Sequence, residues 1–69
     1  MENLLVGSSG SDVIKLQQRL KEMGFYCGAI DGIFSDTTEA AVKAFQDSEG
    51  LSADGIVGFS TQAALGLTN

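Results

Sequence analysis

Apolar residues recur at three- and four-residue intervals in two stretches of the chain. Val13, Leu16, Leu20 and Met23 share one face of a helix, and the spacing predicts that helix over residues 11–23. Ser9 or Ser11 is the expected N-cap, with Asp12 at the positive end of the helix dipole. Gly24 is the expected stop, with Phe25 packing back on Leu20 in a Schellman arrangement. Lys15, Gln18, Arg19 and Glu22 read as the solvated face. Thr38, Ala41, Val42 and Phe45 predict a second helix over residues 37–49. Asp36, three residues before Glu39, reads as its cap in a capping box, and Glu39 and Lys43 form a favourable i, i+4 pair. Gly50 repeats the stop, and Leu51 is placed to contact Phe45. A third helix is expected over residues 60–65, with Ala63, Ala64 and Leu65 inward, Leu67 behind and Gly66 at its end. So short a helix must be held by tertiary packing.

Part of the pattern occurs twice. Asp31-Gly-Ile-Phe-Ser-Asp-Thr-Thr-Glu-Ala-Ala-Val42 returns 23 residues later as Asp54-Gly-Ile-Val-Gly-Phe-Ser-Thr-Gln-Ala-Ala-Leu65, with six of twelve positions identical. Such a repeat marks a recurring supersecondary unit. Here it is a turn, an apolar residue and a helix start. Asp can bond its own backbone two residues on, and Gly32 and Gly55 accept positive φ. Asp31 and Asp54 therefore read first as turn formers and only second as reactive carboxylates. Ile33 and Ile56 are expected to drop into the core before each helix. A β-hairpin reading of Asp-Gly fails because strict alternation is absent and helix-start signals follow each copy.

Sixty-nine residues make a single domain (1–69, core about 4–67), all-α, a small three-helix bundle joined by Asp-Gly turns. It is expected to be a monomer. Cys27 is the only cysteine, so no internal disulfide is available. It is either a buried small hydrophobe or a reactive thiol, and the buried reading is favoured. The net charge of −5, with only Lys15, Arg19, Lys21 and Lys43 as bases, does not supply the cationic footprint nucleic acids require. No run is apolar enough for a membrane span, and Met1-Glu2-Asn3 with its short apolar run ending at Gly7 is not a signal peptide. The chain is accordingly expected to be cytoplasmic or a piece of a longer exported precursor.

The ordered series of residues resembles a known family. Gly10, Val13, Leu16-Gln17 and Leu20 are followed by Gly24-Phe25-Tyr26, then Ile30-Asp31-Gly32-Ile33-Phe34. Thr38 to Val42, Phe45-Gln46, Gly50-Leu51, Asp54 to Gly58 and Thr61 complete it. Over about residues 4–67 this resembles the peptidoglycan-binding domains of bacterial cell-wall hydrolases and spore cortex-lytic enzymes, which are three-helix modules. Where that family commonly has Gly-Pro before the second and third helices, this chain has Ser35-Asp36 and Gly58-Phe59. Asp36 then caps the second helix in place of proline, and the third starts late, at Ser60. Gln62 stands where many members carry Trp, so that contribution is missing.

Catalysis by the chain itself finds little support in its residues. There is no histidine to serve as base or metal ligand, and Cys27 has no imidazole partner. No zinc-binding set is present, and no cofactor is implied. Two carboxylates can run glycoside hydrolysis, but a 69-residue bundle can hardly surround a glycan. The resemblance implies a non-catalytic binding module that carries a hydrolase or other protein to the cell wall. Its ligand is then peptidoglycan, through the glycan strand or the stem peptide, with a hydrolase domain possible in cis. The location that follows is the cell wall or extracytoplasmic space, within an exported protein. Tyr26, Phe34 and Phe59 offer aromatic faces, and Asp31, Asp36 and Asp54 offer acceptors. The expected site joins the loop 26–36 to residues 58–61, if the two copies bring their helix starts together. The alternative is a protein-interaction or prodomain-like helical module that does not touch the wall.

Overall fold

The computed structural model describes residues 3–67; Met1 and Glu2, part of the leader reading, lie outside the described residues. Three helices follow in order: α1 (Ser11–Glu22), α2 (Asp36–Ser48) and α3 (Phe59–Leu65). Their bounds differ from the periodicity by one residue. The fold class is the expected one, all-α with three helices.

All three helices end alike. The amide after each closing glycine donates back five positions: Phe25 to Leu20 at 2.9 Å, Leu51 to Gln46 at 2.8 Å and Leu67 to Gln62 at 2.9 Å. This is the Schellman pattern, with the glycine in the left-handed region. It turns the chain sharply and returns an apolar residue toward the core. Phe25 meets Phe45 edge-to-face, with ring centroids 5.5 Å apart.

The helix starts depart from expectation. Gly10, not a serine, precedes α1, and Ser35 precedes α2 with Asp36 already in its first turn. Neither start has a side-chain cap bond. The capping-box reading of Asp36 is therefore corrected, although its carboxylate still lies near the positive end of the dipole. α3 begins at Phe59 rather than Ser60.

The core is built from Val13, Leu16 and Leu20 of α1, Ala41, Val42 and Phe45 of α2, and Leu65 of α3, joined by Leu4, Tyr26, Phe34 and Val57. Met23 lies outside it. Ala63 and Ala64 are also exposed, and α3 buries Thr61, Gln62 and Leu65 instead. Arg19 holds this short helix by donating from Nε to the Leu65 carbonyl at 2.7 Å.

The two Asp-Gly corners correct another expectation. Ile33 and Ile56 are 55% and 40% exposed, and the next residues, Phe34 and Val57, are the buried ones. The cause is extended pairing with the N-terminal segment. Leu4 and Val57 exchange two backbone hydrogen bonds, at 3.1 and 2.7 Å. Gly7 donates to Phe34, and Phe34 donates to Ser8. Successive side chains of an extended segment point to opposite sides, so burying Phe34 and Val57 turns the isoleucines outward. These are isolated bridges between short segments rather than strands of a sheet.

Candidate functional site

A buried glutamine organises each corner. Gln17 of α1 and Gln46 of α2 are 0% and 1% exposed. Gln17 accepts from the Gly32 amide through Oε1 at 2.9 Å, and its Nε2 lies 3.0 Å from both Asp31 Oδ1 and the Ile33 carbonyl. Gln46 makes the same three contacts with Gly55, Asp54 and Ile56, at 3.0, 3.1 and 3.0 Å. Thr38 and Thr61 hydroxyls lie 3.2 and 3.1 Å from the respective amide nitrogens. The other carboxylate contact is the expected Asx turn: the Ile33 amide donates to Asp31 Oδ1, and the Ile56 amide to Asp54 Oδ1. Both carboxyls are held below their ordinary value, first by that isoleucine amide and then by the glutamine amide. They are ionised, fixed and exposed.

The clamps were not legible as such in the sequence. A glutamine at a helical position reads as surface, and Gln18, next to Gln17, is indeed exposed. The available signal was the pairing of a core residue with glutamine, Leu16-Gln17 and Phe45-Gln46, ahead of each Asp-Gly.

Beside the second clamp lies a groove of about 630 Å³. Gln46 and Thr61, both buried, belong to its floor. Its other lining residues are Asn3, Gly50, Leu51, Ser52, Asp54, Ile56, Gly58, Phe59 and Ser60. Phe59 is 77% exposed, the highest value among the exposed large hydrophobic residues.

Of the anticipated ligand residues, the groove brings together Asp54 and Phe59. Asp31 and Asp36 are exposed but line no part of it. Tyr26 and Phe34 are corrected: at 5% and 1% exposure neither presents a ring face. The Tyr26 hydroxyl is not wet either, since it donates to the Ala29 carbonyl at 2.6 Å. The loop 26–36 thus contributes nothing to the groove, which is built from residues 50–61 with Asn3 and Gln46. Cys27 is exposed, against the favoured buried reading, because the ring of its neighbour Tyr26 fills the core position. Among the described residues, no group of three or more His, Cys, Asp or Glu could hold a metal, and no helix is long and apolar enough to cross a membrane.

The family model described as "Putative peptidoglycan binding domain" matches residues 9–65. The chain belongs to this family. The peptidoglycan-binding domain is similar to part of the spore cortex-lytic enzyme of Bacillus cereus, with 49% identity over 59 residues, covering 86% of this chain and 23% of that one. It is 46% identical over 56 residues to the N-acetylmuramoyl-L-alanine amidase CwlM of Mycobacterium tuberculosis, covering 81% of this chain and 14% of that one. The chain therefore spans less than a quarter of the length of either relative. Among solved structures, the SleB N-terminal domain superposes with a TM-score of 0.91 at 45% identity, covering 93% of this chain and 88% of that one. The likeness to the enzymes thus lies in the binding domain.

Proposed function

We propose that this chain is a non-catalytic module that holds a larger protein on bacterial peptidoglycan, through the groove between the second Asp-Gly corner and the start of α3. The observation that carries the reading is an exposed aromatic ring, Phe59, beside a carboxylate fixed by its own turn, Asp54, in a domain of this family. Phe59 supplies an apolar face, and Asp54 with Ser52 and Ser60 supplies polar partners. The chain works in the cell wall or another extracytoplasmic compartment, joined in cis to a hydrolase domain. Spore cortex-lytic enzymes and an amidase among the relatives support that arrangement.

A lone module of this size binds weakly and gains retention from the protein it is joined to or from repeated copies. The test is sedimentation with purified sacculi, with an unrelated acidic protein as control. Retention of the chain above the control, reduced in Phe59→Ala with helicity intact, is the expected result. Equal recovery of chain and control in the supernatant would defeat the proposal.

A further inference from the structure

The charge of the groove restricts which part of peptidoglycan it can hold. Its lining contains Asp54 and, among the described residues, no basic side chain. The Asp54 carboxyl is held below its ordinary value, so it is anionic throughout the neutral range. A carboxylate ligand entering here would meet a fixed like charge with no basic side chain in the lining to offset its desolvation. Lys43, outside the lining, adds the last and smallest of the attractions that hold Asp54 ionised. Its ammonium lies 3.8 Å from Glu39, and its stem lies over Gly55, where an added Cβ would come within 3.1 Å of Lys43 Cε.

The remaining lining is apolar or neutral. Phe59, Ile56 and Leu51 offer carbon surface, and Ser52, Ser60 and Asn3 offer neutral hydrogen-bonding groups. An aromatic ring beside hydroxyls and a carboxylate acceptor suits a pyranose. The C–H face of the sugar covers the ring, its hydroxyls donate to Asp54, and an acetamido methyl reaches the aliphatic side chains.

We infer that the groove binds the uncharged acetamido-sugar backbone of the glycan strand, through Phe59 and Asp54, and not the carboxylate-bearing stem peptide. The inference rests on the wall-binding reading above and narrows it.

Two soluble probes separate the alternatives: N-acetylated chitotetraose, which is uncharged, and a synthetic stem pentapeptide with its free carboxylates. Binding of each is followed by amide chemical shifts in the intact chain and in Phe59→Ala and Lys43→Gln. The tetraose should bind at least tenfold more tightly than the peptide, lose at least tenfold in Phe59→Ala, and be unchanged in Lys43→Gln. Peptide binding equal to or tighter than that of the tetraose overturns the inference, as does a loss of binding in Lys43→Gln. Failure of the tetraose to bind also overturns it. Sacculus sedimentation of the same sample then separates the two claims: retention leaves wall binding standing without its glycan assignment, and no retention removes both.

Discussion

Gln46 donates from Nε2 to Asp54 Oδ1 at 3.1 Å, eight residues along the chain, from a side chain that is 1% exposed. The same carboxamide also joins the Gly55 amide and the Ile56 carbonyl. One planar group therefore serves the Gly55 amide and the Ile56 carbonyl, and adds a second donor to Asp54 Oδ1, which the Ile56 amide already reaches. Replacing it leaves the buried Gly55 amide and the part-buried Ile56 carbonyl without that partner. Gln46→Leu should destabilise the fold by about 3 kcal/mol, at 1–3 kcal/mol for each buried group left unpaired with partial access of water. Urea denaturation measures it, and Gln17→Leu should behave alike because Gln17 makes the same contacts.

Gln46→Glu makes a sharper test of the same contact. The carboxylate keeps the acceptor for Gly55 but replaces the donor to Asp54 with a like charge. The deficit relative to the parent chain should be largest at neutral pH and shrink on acidification, as the new carboxyl protonates and can donate again. A deficit independent of pH would show that the Gln46–Asp54 contact is not what was lost.

The parent chain should itself lose stability in acid. Asp31 and Asp54 have native pKa values lowered by the Ile33 and Ile56 amides first and by the glutamines second. A group lowered on folding contributes stability that is present above its unfolded value and lost as the pH falls through its native one. Urea midpoints should therefore hold from neutral pH down to the ordinary carboxylate range and decline below it. In Asp31→Asn with Asp54→Asn the decline should be shallower, from a lower starting stability.

Gly50 and Gly55 separate backbone strain from crowding. Both have positive φ, 71° and 77°. A Cβ at Gly50 meets nothing within 4 Å, whereas one at Gly55 would lie 2.8 Å from Glu39 Cγ. Gly50→Ala should cost about 1 kcal/mol, the left-handed penalty alone. Gly55→Ala should cost more, because the Glu39 side chain must also move. Thermal melts of the two variants give the order.

The helices and their stops were legible because each signal is local. The three- and four-residue spacing survives in any context; Gly24 and Gly50 sit one turn past Leu20 and Gln46, and Gly66 directly follows Leu65. The corners were only half legible. Asp and Gly announced the turn, but the side reached by Ile33 and Ile56 depends on pairing with Ser9 and Leu4, which lie 24 residues before Ile33 and 53 before Val57. Hydropathy alone would bury the isoleucine. Gln17 and Gln46 were missed because burial of a carboxamide depends on three partners from another segment. The exposed ring of Phe59 was anticipated, and those of Tyr26 and Phe34 were not placed correctly, because both rings fill the core.

The central claim is that wall material enters the groove beside Phe59 and Asp54. Titrating the isotope-labelled chain with solubilised peptidoglycan fragments, residue by residue, tests it most directly. Amide shift changes should concentrate at residues 50–61 and be absent around Ile14 and Ile33. Changes centred on the α1 face or on the first corner, with residues 50–61 unmoved, would contradict it.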